Sequence, residues 1–428
     1  MGYRNDTVGV VDFGSREIRV LIARQSHDGS IEVLGHGTAP SHGCISQGVI
    51  QDRNAAQIAL KNALTAAEKE ARIAVHSLFC GINGRNVETF VREGVVEITH
   101  DVVEEDHMLE VRDLASRDIL AAGRHITSSI TAQEWYVDDL RVLNPLGIRG
   151  QVLKTRMHLA RLPRVIEENI TQCIESVGRD LEDMIFLPIA ASLGCLTPED
   201  MELGVAVFDL GRSTTGLAVY REMRILGSHS FEMGGYHITR DVAAGLQISF
   251  EEADELILEY GIAESLIDAE YEEDDGPSGN ASNADDVPHI KLKTAVPGAP
   301  TVVDRAHYDA IVFERAKELM SRVRQYVNSR GLSKNLVRGI VLTGGAARIG
   351  NVDLLVEAIF QTPCRVGTPT ALSVLPHSIT SPEYIGAVGI VRHAFQHRMA
   401  ARNGHVRAFA GPAGTFRRVG RLIKRYFL

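Results

Sequence analysis

Two short stretches 197 residues apart repeat one design. In VVDFGSREIRVLIA, residues 10–23, an apolar strand ends at Asp12, turns through Phe13-Gly14-Ser15-Arg16 and returns as a second apolar strand. In GVAVFDLGRSTTGLAVY, residues 204–220, Val205 to Phe208 make a strand that Asp209 ends, Gly211-Arg212-Ser213-Thr214 turn, and Leu217 to Tyr220 return. One copy is compatible with ordinary hairpin chemistry, in which a tight turn recruits Gly and Asp. Two copies at this separation imply two related lobes, not a short-period solenoid. Such a pair could grip a nucleotide from opposite sides. Backbone N–H groups and hydroxyls would donate to the phosphates, while Asp12 and Asp209 hold Mg²⁺, mostly through its waters.

A third piece fits the same design. RGIVLTGGAARIGNVDLLVEAIF, residues 338–360, reads as strand, double glycine, helix, and Gly344 and Gly345 let the backbone approach a ligand closely. Alone, such a connection is weak evidence, because many αβ turns use Gly. With 428 residues, 44% of them hydrophobic, the chain can bury more than one core. A charged fraction of 23% and 39 Gly suit an α/β protein, and a net charge of −10 argues against general nucleic-acid binding. The opening MGYRNDTVGV predicts no secretory signal, and no window approaches the roughly 18 apolar residues that span a bilayer. The five cysteines (Cys44, Cys80, Cys173, Cys195 and Cys364) have no C-x-x-C spacing and read as reduced thiols of a cytoplasmic protein, most of them in the core.

Other chemistry finds little purchase. There is no G-x-x-x-x-G-K-[ST] and no H-E-x-x-H. GRSTTG misses the G-x-S-x-G elbow by one residue and leads into a strand, not a helix. His393 and His397 have metal-like i,i+4 spacing without a third ligand, which predicts an exposed helix face.

The order of the two Asp-Gly turns and the Thr-Gly-Gly turn resembles the actin–Hsp70–hexokinase superfold. In its details the chain resembles the FtsA family of bacterial cell-division proteins. The resemblance covers nearly the whole chain and includes GHGTAPSHGCISQGVI, LNPLGIRGQVLKTRMHLA, LPIAASLGCLTPEDMELGVAVFDLG, FEMGGYHITRDVA and IVLTGGAARIGN. It implies a two-lobed α/β fold in which a small α/β subdomain is inserted in the first lobe. It further implies that Asp12, Gly14, Ser15 and Arg16 form a first phosphate loop. Asp209, Gly211, Ser213, Thr214 and Thr215 form a second, and Gly344, Gly345 and Ala346 line the adenosine side of bound ATP, with Mg²⁺ at Asp12 and Asp209.

This sequence departs from the family pattern in three places. Arg212 and Ser213 replace glycines of the second loop, Gly216 replaces its last Asp, and FEEADELILEYG (250–261) resembles the helix that usually offers an acid and a Lys to the nucleotide, with Ile257 where that Lys is expected. Added Cβ atoms narrow the approach to a phosphate, and the lost carboxylate removes a metal or water contact, so ATP hydrolysis is expected to be weak or absent.

The expected organisation is a first lobe to residue 84, the insertion over 85–162 and a second lobe over 163–395. Within the insertion lies Trp135, expected to pack. Residues 268–288 carry eight acids and no base and read as a solvated loop. A long amphipathic helix follows, with Ile311, Val312, Leu319 and Val323 toward a core and Arg305, Arg315, Lys317, Arg322 and Arg324 on its basic faces. By resemblance this region takes the C-terminal peptide of FtsZ, with Arg305 as a contact. The insertion would serve self-association and contacts with later division proteins.

Residues 396–414 read as a flexible linker and 415–428, TFRRVGRLIKRYFL, as an amphipathic helix. At 100° per residue, Phe416, Val419, Leu422, Ile423, Tyr426 and Phe427 share one arc, while Arg417, Arg418, Arg421, Lys424 and Arg425 face the other way. Too short to span, such a helix suits the headgroup layer of an anionic membrane. A helix docked on the protein's own core is the competing account. The expected function is an ATP-binding adaptor that tethers FtsZ filaments to the cytoplasmic face of the cell membrane. The alternatives are a pilus-assembly adaptor of the PilM type and a small-molecule kinase on the same superfold.

Overall fold

The computed structural model describes residues 6–84, 86–121, 125–271, 289–292, 302–370 and 372–402. The first lobe opens with β1 (Thr7–Phe13), β2 (Glu17–Gln25) and β3 (Ile31–Pro40), then a small hairpin of β4 (Ile45–Ser46) and β5 (Val49–Ile50), helix α1 (Arg53–Ala71) and β6 (Ser77–Ile82). Asp52 caps α1 by accepting from the N–H groups of Asn54 and Ala55. The insertion follows as β7 (Glu88–Glu97), α2 (Glu105–Ala121), β8 (His125–Val137), β9 (Leu140–Val142) and β10 (Val152–Pro163), its strands ordered β7-β10-β8-β9. Trp135 is buried in its small core with Val96, Val111 and Leu153.

The chain continues through α3 (Arg164–Ser176), β11 (Asp180–Phe186), α4 (Leu187–Cys195) and α5 (Pro198–Leu203). The second lobe comprises β12 (Val205–Leu210), β13 (Thr215–Arg221), β14 (Arg224–Phe231), α6 (Gly235–Leu246), α7 (Phe250–Tyr260), α8 (Glu264–Tyr271), β15 (His289–Lys291), β16 (Val302–Asp304), α9 (Arg305–Ser329), β17 (Ile340–Thr343), α10 (Val352–Phe360) and β18 (Cys364–Val366). Helix α11 (Ile385–Arg402) closes the described chain.

The doubled hairpin has become a doubled sheet. The first sheet runs β3-β2-β1-β6-β11 and the second β14-β13-β12-β17-β18. In each, three antiparallel strands are continued by two parallel ones. The central strands are apolar runs buried on both faces, as sheets covered on both sides require. The hairpin ladders continue past both aspartates, so Asp12 pairs with Arg19 and Asp209 with Gly216.

Three expected boundaries are corrected. The second lobe does not resume near 163: β11 pairs with β6 to complete the first sheet, and Ile189, Ala190 and Ala191 of α4 sit in the first core. The linker does not begin at 396, because α11 runs to Arg402 and returns to the first lobe, where Val388, Ile390, Val391 and Phe395 fill the same core. The acidic segment does not begin as a loop at 268, since α8 carries the chain to Tyr271. Long-range apolar complementarity decides each of these, and local composition does not report it. The acidic run 272–288, the linker from 403 and the tail 415–428 lie outside the described residues.

Helices α4 and α11 meet backbone to backbone. A Cβ on Gly389 would lie 1.6 Å from the Ala190 carbonyl oxygen, and one on Gly194 would lie 2.3 Å from that of Ile385. Beside this seam, Arg398 donates to both Glu182 carboxylate oxygens at 2.9 and 2.7 Å and to the Thr7 carbonyl at 2.7 Å. His393 and His397 are not an exposed face. Both are largely buried edge-on to Phe79, and His393 Nε2 lies 3.0 Å from Asp183. Among the described residues no group of three or more His, Cys, Asp or Glu could hold a metal ion, and no helix is long and apolar enough to cross a membrane.

Candidate functional site

An open cleft lies between the two sheets' carboxyl ends. From the first lobe it is lined by Asp12, Gly14, Ser15 and Arg16, and from the second by Asp209, Gly211 and Thr214, with Gly344, Gly345 and Ala346 along one side. The turns thus bring together ten of the expected residues. Two others are placed differently. Thr215 is buried and donates to the Met233 carbonyl at 2.8 Å, so its hydroxyl faces inward, away from the cleft. Ser213 sits on the seam, where its Oγ lies 2.6 Å from Ser15 Oγ and accepts from the Gln47 N–H at 2.9 Å.

Local chemistry explains these loops. Gly211 donates to the Thr214 carbonyl at 2.9 Å, closing the second turn. The first amides of α6 hold that turn from outside, Gly235 donating to the Gly211 carbonyl at 3.0 Å and Tyr236 to that of Arg212 at 2.7 Å. Gly234 permits this approach, since a Cβ there would meet the Gly211 oxygen at 2.4 Å. After β17, Gly344 adopts φ +84, and a Cβ on it would come within 2.7 Å of Asp209 Oδ1. Gly345, by contrast, has open space at its Cβ. The expected helix after the double glycine starts only at Val352; one 3₁₀ turn, Gly345–Arg348, comes first.

The two aspartates are buried, 7% and 6% exposed, and Asp209 feels the charge of Asp12. Burial raises the Asp12 carboxyl, partly offset by the Arg19 guanidinium. Burial and the Asp12 charge push Asp209 up to about 7, against the Thr343 hydroxyl, 3.3 Å from its Oδ1, and Arg19. A pair of like carboxylates held this way favours a cation or a shared proton between them. Two carboxylates with open space beside them also fit Mg²⁺, which takes few protein ligands and keeps its waters.

Several cleft residues were not singled out by the sequence. Arg19 is buried beside Glu17, 3.0 Å away, and lies over the Tyr384 ring at 5.4 Å. Asn83 follows β6 as Gly344 follows β17 and donates to Thr214 Oγ1 at 3.4 Å. Tyr236, Thr239 and Asp254 line the second-lobe wall with Arg212. The signals available were the register partner of Asp12, the double glycine ahead of α6 and the acids of FEEADELILEYG. Ile257 is buried on the cleft wall, so an apolar contact stands where a Lys would have stood. Gly216 has no room for a carboxylate, because a Cβ there would lie 2.4 Å from Pro188 Cγ.

Arg305 does not stand free. It donates to Asp309 at 2.8 Å and lies over the rings of Tyr260 and Tyr308 at 4.7 and 5.6 Å. The basic faces of α9 are likewise engaged, Arg315 by Asp241 and Glu318, Lys317 by Glu270 at 2.6 Å, and Arg322 by Glu318. Of the four residues expected toward its core, Val312, Leu319 and Val323 are buried and Ile311 is half-buried against Gly245.

The family model described as "Cell division protein FtsA" matches residues 206–389, and that of the "SHS2 domain inserted in FTSA" matches residues 84–160. The chain belongs to the FtsA family. Curated FtsA proteins align along most of its length: that of Pseudomonas aeruginosa is 27% identical over 387 residues, covering 90% of this chain and 88% of the relative. That of Rhizobium meliloti is 28% identical over 439 residues, covering 99% and 96%. Among solved structures, the PilM–PilN type IV pilus biogenesis complex matches with a TM-score of 0.62 at 14% identity, over 91% of this chain and 98% of that one. MreB5 of Spiroplasma citri bound to ADP matches with a TM-score of 0.55 at 14% identity, over 94% and 99%. These likenesses establish the actin-like fold of this FtsA-family cell-division protein. The SHS2 match coincides with the four-stranded insertion, and the FtsA match takes in the second lobe and the start of α11.

Proposed function

We propose that this FtsA-family protein binds Mg·ATP between its lobes and acts as an adaptor, tethering FtsZ filaments to the cytoplasmic face of the membrane. The observation that carries the nucleotide half is the pair of buried aspartates at matching positions of two matched hairpins, facing one open cleft. In this reading Asp12 and Asp209 hold the metal. The amides of the two turns, with Ser15 and Thr214, take the phosphates, and Gly344, Gly345 and Ala346 make the adenosine wall. Mg²⁺ would supply the counter-charge that the phosphates and the two carboxylates share. MreB5, of the same fold, has been solved with ADP and with AMPPNP, which supports the same use of the cleft here. Hydrolysis is slow or absent in this reading, since Gly216 and Ile257 leave two positions without the family's polar groups.

The adaptor half rests on family membership and on the amphipathic residues 415–428, five of them basic in a chain of net charge −10. The FtsZ tail peptide would dock around the start of α9, exchanging with Asp309 for Arg305. Self-association and contacts with later division proteins would fall to the insertion and the lobe surfaces.

The test is flotation of the full chain, and of a chain ending at residue 414, on anionic liposomes at low and high salt. Tail-dependent flotation that weakens with salt is expected. An intact protein that stays at the bottom under both conditions would remove the membrane tether.

A further inference from the structure

The insertion meets the second lobe edge to edge. Strand β7 is the outer strand of one sheet and β14 of the other, and no ladder joins them. Side chains span the gap instead: Thr89 donates to the Ser228 carbonyl at 2.7 Å, and His158 Nε2 lies 2.7 Å from Ser228 Oγ. Beside these contacts, the two edges and the end of α9 border a cavity of about 220 Å³. It shares no lining residue with the interlobe cleft.

Three features of its wall define what this space can hold. Most of the wall is apolar, with Phe90 and Val91 from β7, Leu226 from β14 and Leu332 beyond α9. Its one charge is cationic. Burial keeps His158 neutral and no carboxylate lines the space, whereas Arg330 stands exposed with its guanidinium 5.4 Å from the Tyr326 centroid. Among the described residues no acid pairs with Arg330. The third feature is Gly227, inside β14. A strand-interior glycine weakens the strand and often marks the close approach of a ligand or another backbone. The protein's own packing does not demand it here: its φ is not positive, and a Cβ would meet only Leu332, at an ordinary contact distance of 3.4 Å. The missing side chain keeps the cavity open.

We propose that this seam binds a small organic anion, a carboxylate on a short hydrocarbon body. The body lies among Phe90, Leu226 and Leu332, and the carboxylate meets Arg330 at the mouth. A guanidinium suits this role because its parallel N–H groups match both carboxylate oxygens. The space exceeds the ~150 Å³ of an apolar cavity that takes benzene. It falls short of the roughly 300–1,000 Å³ typical for drug-sized ligands, which sets the size of the occupant. Since the walls come from both bodies, an occupant also holds the insertion against the second lobe.

The experiment is a ligand-observed NMR titration of the full chain with hexanoate, hexanol and acetate, run alongside melting curves. It compares the wild type with Gly227→Leu, Arg330→Gln and Arg330→Lys. Hexanoate is expected to bind with a millimolar or lower dissociation constant and to raise the melting temperature. Hexanol, which lacks the charge, and acetate, which lacks the body, are expected to bind several-fold more weakly. Gly227→Leu fills the cavity and is expected to lose hexanoate binding without melting lower. Arg330→Gln is expected to weaken hexanoate about fivefold, with partial recovery in Arg330→Lys. No hexanoate binding by the wild type, or wild-type affinity in Gly227→Leu or Arg330→Gln, would overturn the site. Hexanol binding as tightly as hexanoate would overturn its preference for an anion. If Gly227→Leu does not fold, the Arg330 variants, altered only at an exposed side chain, decide the matter.

Discussion

Asp12 and Asp209 occupy equivalent register positions in two equivalent sheets, and both are buried where a cation or a shared proton repays the cost. Asp12→Ala or Asp209→Ala is expected to weaken Mg·ATP binding by tens of fold in calorimetric titration; unchanged affinity in both would remove the metal assignment. Gly216 shows the opposite constraint. Restoring the family's carboxylate as Gly216→Asp would drive Cβ into Pro188, at the start of α4. Overpacking of this kind costs about 1–3 kcal/mol, so the variant is expected to melt several degrees lower without gaining ATP turnover. The aspartates and glycines were legible because a strand end followed by a tight turn is written in five or six adjacent residues. The partners Arg19, Asn83, Thr239 and Asp254 were not, since each reaches the cleft from a different element and none shares a local motif with the residue it meets.

Between elements, the seam of α4 and α11 reverses an ordinary preference. In a helix interior Gly→Ala stabilises by about 1 kcal/mol, but at Gly389 the new methyl would occupy the space of the Ala190 carbonyl. Gly389→Ala is therefore expected to destabilise, read as a lower urea midpoint; a higher midpoint would mean the helices are not in backbone contact. At the seam between insertion and second lobe, buried His158 shares a hydrogen bond with Ser228 Oγ at 2.7 Å, and Thr89 donates to the Ser228 carbonyl at 2.7 Å. Burial lowers His158 from 6.5 to about 4, so the folded protein keeps it neutral where the unfolded chain would protonate it. Its contribution is complete above pH 6.5 and is lost progressively as pH falls toward 4. His158→Gln is expected to flatten the pH dependence of the urea midpoint across that window, and an unchanged slope would discount the assignment.

At the scale of the molecule, the lobes meet through the same loops proposed to bind nucleotide, so binding and overall stability are coupled. Mg·ATP at a hundredfold excess over its dissociation constant would add about 2.7 kcal/mol, read as a rise of several degrees in melting temperature that Asp12→Ala abolishes. No rise in the wild type would count against a closed-cleft complex. The sequence by itself determined the duplicated plan, the two aspartate turns, the double glycine after β17 and the amphipathic character of the last fourteen residues. These depend on side-chain periodicity and turn chemistry over a few neighbouring positions. Only the tertiary structure decided that β11 and α11 belong to the first lobe, that Thr215 turns inward, and that Arg212 meets Asp254 with Arg16 across the cleft. The reason is physical: which sheet edge a strand completes, and which charge an arginine finds, depends on surfaces brought together from residues up to hundreds of positions apart.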